Sequence, residues 1–216
     1  MSDPVILGFD TSGPYCSTAL LVGDDVVAAL HVEMLKGQAE QLMPLLAETL
    51  QEGRMAYADL TRIAVGTGPG NFTGIRISVS AARGLAMSLG IPATGVTLFD
   101  ALSVGAPRPF LASLQATKKE VYISEVTEHG HSDPVQVAIE GIAPPNQPGC
   151  VCIGHRSDEI ASRLGLTAQP AAFAPASSIA RYAARIPPDP LQRPAPYYLR
   201  PADAAPPRDP APVILD

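Results

Sequence analysis

A glycine-rich stretch, GTGPGNFTGIR, occupies residues 66–76 and directly precedes a segment with helical spacing. Such a turn often holds phosphate, because the backbone N–H groups at a helix start point at the anion. A P-loop has a Lys and then Ser or Thr after its last glycine, whereas Gly74 is followed by Ile75 and Arg76. The dinucleotide pattern G-x-G-x-x-G does not fit the glycine spacing either. The stretch is therefore neither of the two common phosphate-binding loops.

Histidine and cysteine do not form a metal-binding pattern. The histidines are scattered along the chain: His31, His129, His131 and His155. The pair at 129 and 131 lies in a turn-like EHGHSD segment, which we interpret as solvated loop. Cys150 and Cys152 would share one face of a strand, but no second cysteine pair accompanies them. With three cysteines, an odd number, we predict buried thiols rather than disulfides or a metal site.

Composition restricts the classes of partner. The 216 residues have a net charge of −6, and no run of basic residues is present. Nucleic-acid binding depends on clustered Lys and Arg, so the chain is a poor candidate for holding nucleic acid alone. The start, MSDPVILGFDTS, lacks the charged segment and long apolar stretch of a signal peptide, and no apolar window reaches membrane-spanning length. We therefore expect a cytoplasmic protein without a membrane partner.

The first half of the chain predicts strands followed by helices. Three strands are expected over 5–34, with a hairpin turn at Gly23, Asp24 and Asp25. Apolar spacing predicts helices over about 38–52 and 73–89, the second ended by Gly90. RIAVGT and IPATGV are expected as buried strands, and TLFDALSV as a short helix.

After residue 105 the pattern begins again. A second hairpin is predicted for PFLASLQA and EVYISEVTE, and a strand for VCIGH. Helices are predicted over 157–165 and over ASSIARYAARI. The proline-rich end of the chain, from Pro187, is expected to be largely irregular. We predict two α/β domains, over 1–105 and 106–216.

Three stretches together frame nearly the whole chain and resemble one family. These are ILGFDTSGPYCSTALL, GTGPGNFTGIRISVSAARGLA and 196-PYYLR-200. They resemble the TsaB (YeaZ) family, accessory subunits of the bacterial machinery that makes threonylcarbamoyladenosine at position 37 of tRNA. The resemblance implies the actin-like ATPase (ASKHA) superfold, with two βββαβα-type domains and a cleft between them. In active members of that superfold the turn that corresponds to Asp10, Thr11 and Ser12 lines the nucleotide cleft.

The same resemblance implies that the chain is not itself an enzyme. The catalytic relative, TsaD, binds its metal with two histidines four residues apart on a helix, and Leu98 and Leu102 stand at those positions here. We therefore predict no metal and no catalytic residue. Asp10 could hold a nucleotide or a metal-bound water, or it could bond the N–H groups of the following turn. Without the other ligands we favour the structural role.

Other positions depart from the pattern of the family. Gln115 and Lys119 replace an Asp and a Gly that are common in the second hairpin, while Glu120, Val121 and Tyr122 are kept. Gln38 stands where relatives often have a histidine. Any role of the replaced side chains in relatives therefore cannot be transferred to this chain.

The resemblance implies protein partners. A TsaB-like chain docks on TsaD, helps to recruit TsaE, meets tRNA only through the complex and forms a homodimer when alone. No cofactor is expected in the chain itself, although ADP or ATP can sit at the junction of subunits. The candidates for that junction are Asp10, Thr11, Ser12, Gly68, Gly70, Asn71, Thr73 and Arg76. The alternative for this loop is a structural turn that packs two domains together.

The helices over 38–52 and 73–89 are the expected partner interface. The second helix has apolar residues outside its main stripe and small residues, including Ser80 and Gly84, that would let another helix approach. The predicted interface residues are Leu42, Leu46, Ser78, Ala81, Ala82 and Leu85. An ordinary well-packed core is the alternative.

Two enzymatic alternatives agree less well with the sequence. A small-molecule kinase or ATPase of the actin-like superfold would need phosphate-binding turns in both halves, and the second half has no second glycine-rich turn. A peptidase would need a zinc motif, a Ser-His-Asp set or paired carboxylates, and none is evident. A non-catalytic subunit agrees best with the sequence.

Overall fold

The computed structural model describes residues 3–189 and 193–199. In this part of the chain the strands separate into two sheets, which share the same order of strands. The first sheet contains β1 (Val5–Asp10), β2 (Tyr15–Val22), β3 (Asp25–Glu33), β4 (Arg62–Gly66) and β5 (Ala93–Val96), in the order β3-β2-β1-β4-β5. The helices that accompany it are α1 (Gln38–Glu52), α2 (Phe72–Leu89) and α3 (Leu98–Leu102).

The second sheet repeats the arrangement. It contains β6 (Phe110–Gln115), β7 (Glu120–Thr127), β8 (Gly130–His131), β9 (Val135–Ala138), β10 (Val151–Gly154) and β11 (Thr167–Gln169). Its order is β11-β10-β6-β7-β8, with β9 also paired to β7. Helices α4 (Ser157–Leu164) and α5 (Pro175–Arg185) lie in the second half of the chain, and two short 3-10 helices, Tyr57–Asp59 and Ile139–Gly141, complete the described elements. In both sheets the first strand in the chain lies in the middle and is antiparallel to the second. It is parallel to β4 in the first sheet and to β10 in the second.

Strand β1 is buried along its whole length, because helices cover the first sheet on both faces. On one face α1 and α2 bury apolar side chains that include Leu46, Ile63 and Ala82. On the other face α5 packs against β1, β2 and β4 through Ile179, Ala180 and Ala183. A Cβ at Gly8 would lie 2.7 Å from the carbonyl oxygen of Ala176, so only glycine lets α5 come this close.

Arg62, at the start of β4, ties the end of α5 to the first sheet. Its Nη1 donates to the carbonyl oxygen of Ala183 and, at 3.0 Å, to that of Ile186. These are the terminal carbonyls of α5, which lack partners within the helix, so the guanidinium caps them. Burial lowers the pKa of Arg62 from its ordinary value, although the group remains a cation at neutral pH.

The predicted strands and helices of both halves are confirmed, while three short strands were not predicted. These are β8, β9 and β11, which have two to four residues each, too few for an alternation of apolar and polar residues to be visible. The division into domains at 105 stays a prediction, since α5 belongs to the second half of the chain but packs on the first sheet. In the described ranges no helix is long and apolar enough to cross a membrane.

Candidate functional site

A cleft of about 530 Å³ lies between the two sheets. One wall is the β1–β2 turn, with Ser12 and Tyr15, and the glycine-rich loop at 69–71. The other wall includes residues 114–116, at the end of β6, and His155 after β10. The wall formed by the β1–β2 turn and the glycine-rich loop contains three of the residues predicted for the subunit junction: Ser12, Gly70 and Asn71.

Asp10, at the end of β1, is fully buried and its carboxylate is bonded within the chain. Oδ2 accepts hydrogen bonds from the Ser12 hydroxyl and the Tyr15 hydroxyl, each at 2.7 Å, and Oδ1 accepts from the Ser12 backbone N–H at 3.2 Å. Burial raises the pKa of Asp10 above its ordinary value, and the bonds from Tyr15 and Ser12 oppose that rise. The pKa of Tyr15 is raised well above 10 by burial and by the nearby Asp10 charge. Asp10 thus holds the turn together, in the way that the structural alternative requires.

The glycines of the loop allow it to press against the β1–β2 turn. A Cβ at Gly66 would lie 2.2 Å from Asp10 Oδ1, one at Gly70 2.5 Å from the Ser12 carbonyl oxygen, and one at Gly74 2.0 Å from the Thr11 carbonyl oxygen. No side chain fits into these gaps. Their spacing therefore follows the contour of Asp10 and the β1–β2 turn.

Hydrogen bonds fix the loop on this turn. The Thr11 hydroxyl donates to the Gly74 carbonyl oxygen at 2.7 Å, and the Asn71 N–H donates to the Ser12 carbonyl oxygen at 2.7 Å. The Asn71 side chain caps α2 by accepting from the Gly74 N–H at 2.8 Å. Two N–H groups that an anion could use at this helix start are therefore already bonded within the chain.

The charges around the cleft do not favour an anion. Among the described residues that line it, Glu33 carries the only formal charge at neutral pH, because the other titratable groups there are Tyr15 and His155. Burial and the nearby Arg156 lower the pKa of His155, which keeps its ring neutral. A triphosphate in this cleft would meet no Lys or Arg from the described lining.

Three other predicted junction residues lie outside the described lining of the cleft. Thr73 is exposed and, with Asn71, lines a smaller groove at the start of α1 and α2. Arg76 is exposed, and its Nε donates to the Tyr198 hydroxyl at 2.9 Å. Gly68 is in the left-handed region with φ of 95°, and its carbonyl oxygen accepts from the Leu98 N–H at 2.8 Å. Arg200 lies outside the described residues.

Helix α3, which the resemblance places at the metal-binding helix of TsaD, has leucine at both of the corresponding positions. Leu98 and Leu102 are the ends of α3, and Leu98 lines the cleft. In the described ranges no three His, Cys, Asp or Glu side chains lie close enough to share a metal ion. Cys150 and Cys152 are buried, and burial raises their pKa to about 11 and about 12.

The predicted partner interface needs a correction in four of its six residues. Leu42, Leu46, Ser78 and Ala82 are buried between the helices and the first sheet, with at most 1% of their surface exposed. They cannot contact a partner in this structure, because they form the main stripe of each helix that packs on its own sheet. The other two, Ala81 and Leu85, are half-buried against the same core.

The exposed surface of α1 and α2 includes residues that are not among the six predicted interface residues. Met43 on α1 and Met87 on α2 are 44% and 84% exposed, and Leu35 before α1 is 87% exposed. Gly84 lies exposed in the middle of α2, and a Cβ there would have no atom within 4 Å. The sequence shows methionines in both helices, but only the structure shows that Met43 and Met87 are exposed. We call the exposed residues Leu35, Met43, Gly84 and Met87 the outer helical face.

Comparison with known proteins decides the family. The family model described as TsaD, tRNA N6-adenosine threonylcarbamoyltransferase, matches residues 11–140, and a tRNA threonylcarbamoyladenosine biosynthesis protein TsaB from Escherichia coli is 32% identical over 56% of this chain and 54% of the relative. The chain belongs to this TsaD-like family, on its TsaB (YeaZ) branch. It spans about half the length of the curated TsaB relatives that it matches.

Solved structures agree with the TsaB assignment. YeaZ from Pseudomonas aeruginosa superposes with a TM-score of 0.74 at 25% identity, covering 92% of this chain and all of that one. Component A of (R)-2-hydroxyglutaryl-CoA dehydratase from Acidaminococcus fermentans has a TM-score of 0.56 at 10% identity, over 84% of this chain and 98% of the other, and shows the fold alone. The actin-like superfold predicted from the sequence is confirmed.

Proposed function

We propose that this protein is a non-catalytic subunit in the synthesis of N6-threonylcarbamoyladenosine in tRNA, which binds and supports TsaD and helps to recruit TsaE. The names of its relatives support the pathway. The replacement of both TsaD metal ligands by Leu98 and Leu102 supports a role without catalysis, since leucine cannot bind a metal. tRNA would be met through the complex, in agreement with the net charge of −6.

The observation that carries the proposal is the outer helical face. Exposed methionines are adaptable apolar contacts, and they are common on surfaces that bind other proteins. An exposed glycine inside a helix lowers helix stability by about 1 kcal/mol relative to alanine. No contact within the chain requires Gly84. A second helix that packs closely across α2 would require it, because a missing side chain lets two helix backbones approach.

The charges of the two helices support self-pairing through the same face. Helix α1 has exposed acidic residues, Glu40, Glu48 and Glu52, and no basic one, whereas α2 has exposed Arg76 and Arg83 and no acidic one. A two-fold axis that places α1 of one copy against α2 of the other brings opposite charges together. We propose that this pairing forms the homodimer when TsaD is absent.

A nucleotide, in this proposal, binds at the junction with TsaD rather than in the isolated chain. The described lining of the cleft offers polar side chains and the Glu33 carboxylate but no cation. ADP or ATP would therefore need Lys, Arg or a metal ion from the partner. Tight binding of ATP by the isolated chain would instead favour the kinase or ATPase alternative.

The test is reconstitution of threonylcarbamoyladenosine formation with TsaD, TsaE and the remaining enzymes of the pathway, with and without this protein. We expect the modification to depend on the chain and to be lost, by at least about tenfold, in Gly84→Leu. Leucine is a better helix former than glycine, so this variant should unfold at a higher temperature than the wild type. Loss of activity in a more stable protein separates a blocked interface from a damaged fold.

Ser162→Leu is the matched control. Ser162 is also an exposed small residue within a helix, but it lies on α4, away from the outer helical face. This variant should leave modification and complex formation unchanged. Modification that proceeds equally well without the chain, or a Gly84→Leu protein that still binds TsaD on a sizing column, would contradict the proposal.

A further inference from the structure

Residues 193–199, which we call the tail strap, run along α2 in the opposite direction to the helix. Near the middle of α2, Arg83 Nε donates to the Pro194 carbonyl oxygen at 2.7 Å. Near the start of α2, Arg76 Nε donates to the Tyr198 hydroxyl at 2.9 Å. The strap is not part of either sheet, so side chains of α2 supply much of what holds it.

Tyr198 is the main aromatic contact of the tail strap with α2. Its ring lies 4.8 Å from the Phe72 ring, centroid to centroid, with an angle of 30° between the ring planes. The Arg76 guanidinium lies 3.8 Å from the centre of the Phe72 ring and 5.9 Å from that of Tyr198. Such stacked and cation–π contacts each contribute about 1 kcal/mol at exposed sites. The three side chains therefore form one stacked cluster at the start of α2.

The residues on either side of Tyr198 contact the second sheet and the glycine-rich loop. Tyr197 and Leu199 pack against a buried cluster of the second sheet that includes Phe110 and Leu114. The Tyr197 N–H donates to the Thr67 carbonyl oxygen at 2.8 Å, at the entry of the loop. Alternate residues of an extended segment point to opposite sides, so one short strap contacts α2 and the second sheet at the same time.

We propose that the tail strap is a clamp that fixes the glycine-rich loop between the two sheets and so sets the width of the cleft. The glycine-rich stretch at 66–76 connects β4 to α2, and the strap is bonded near both of its ends: to Thr67 at the start and to Arg76 at the end. Release of Tyr198 removes the anchor on α2 that lies between Tyr197 and Leu199, whereas the bond from Arg83 to Pro194 remains. The inference concerns the single chain and goes beyond the proposed function, because it holds whether or not TsaD binds.

The test is amide hydrogen exchange of the full chain, followed by NMR, in Tyr198→Ala. We expect exchange to rise about fivefold at Thr67, whose N–H is bonded to Val96, and at Leu98, whose N–H is bonded to Gly68. Exchange in the centre of α1 should not change, because the strap does not contact that helix in the interactions described above. Tyr198→Phe, which removes only the hydroxyl bond to Arg76, should give a smaller rise of about twofold at the same amides.

Phe173→Ala is the matched control. Phe173 and Tyr198 are 38% and 39% exposed, and each ring is covered by an arginine, Arg181 lying 4.6 Å above Phe173. Phe173 precedes α5, and its ring lies against Arg181 and beside Gly105 rather than on α2. Its removal should therefore leave exchange at Thr67 and Leu98 unchanged.

Three results would overturn the inference. The first is a rise confined to residues 193–199 in Tyr198→Ala, and the second is an equal rise at Thr67 in Phe173→Ala. The third result is unchanged exchange at Thr67 in Tyr198→Phe, which serves as the test if Tyr198→Ala does not fold.

Discussion

Helix α2 contains two glycines in opposite surroundings. Gly74 is buried and lies against the backbone of Thr11, whereas Gly84, ten residues later, is exposed with no atom near the position of a Cβ. The same residue type thus serves contact within the chain at one end of the helix. Further along the helix it leaves an open position on the surface of the protein.

The same contrast separates the turn around Asp10 from the outer helical face. The turn has the residue types of a catalytic site, yet the carboxylate, the two hydroxyls and the loop bond one another. The outer helical face has no residue that suggests chemistry, yet it leaves Met43 and Met87 in solvent. In this chain the residues that resemble an active site hold the fold, and plain helical residues are available to a partner.

The largest effect is expected for Gly74→Ala. The added methyl group would lie 2.0 Å from the Thr11 carbonyl oxygen, and backbone on both sides prevents easy relief. We expect the free energy of unfolding to fall by about 3 kcal/mol, measured by denaturation in urea. A loss below about 1 kcal/mol would mean that the loop is not tightly packed on the β1–β2 turn, and the contrast between the two glycines would not hold.

The second effect concerns Asp10. Asp10→Ala leaves the Ser12 and Tyr15 hydroxyls and the Ser12 N–H without their acceptor, so we expect a loss of about 2 kcal/mol at neutral pH. Thermal or urea unfolding would measure it. An unchanged stability together with a lost affinity for nucleotide would instead assign Asp10 to a ligand.

The dependence of this effect on pH sharpens the test. Burial raises the pKa of Asp10 above its ordinary value of 3.8, so the folded protein holds this proton more tightly than the unfolded chain does. Stability from this group is present below pH 3.8 and is lost as the pH rises to the raised value. Relative to Asp10→Asn, which does not titrate, the wild type should therefore lose stability across that window. A gain over the same window would show that the folded state favours the charged carboxylate.

The smallest effect has the opposite sign. Gly84→Ala should raise the free energy of unfolding by about 1 kcal/mol, because alanine is the better helix former and the added methyl group meets no neighbour. The same substitution should therefore change the free energy of unfolding in opposite directions at the two glycines of this helix, with a fall for Gly74→Ala and a rise for Gly84→Ala. Destabilisation by Gly84→Ala would mean that the chain itself needs this glycine.

Much of the fold could be predicted from local pattern. The first hairpin, α1, α2 and the stop at Gly90 follow from alternation, helical spacing and a glycine in the left-handed region. The orientation of α1 and α2 could not be predicted in the same way. Their apolar stripes identify Leu42, Leu46 and Ala82 as residues that need cover, but a stripe does not tell whether its own sheet or a partner covers it.

The candidate site was predictable to a similar extent. The structural role of Asp10 in the turn follows from the tendency of aspartate to bond nearby N–H groups. The bond from Tyr15 does not, because it depends on how β2 returns beside β1. Likewise the contact of Arg76 with Tyr198 could not be predicted, because Tyr198 is 122 positions away and no local rule connects the two residues. The candidacy of Arg76 for a subunit junction stays a prediction.

The bond from Arg62 to the end of α5 has a consequence for folding during synthesis on the ribosome. The strands of the first sheet leave the ribosome early, but α5, which covers one of their faces, is bonded to Arg62 across 121 residues and is synthesised only after the strands of the second sheet. Until then Ile6, Leu21 and Ala64 lack their partners on α5. A nascent chain that has completed the five strands of the first sheet therefore still exposes apolar surface. We expect it to bind ribosome-associated chaperones until α5 packs on the sheet.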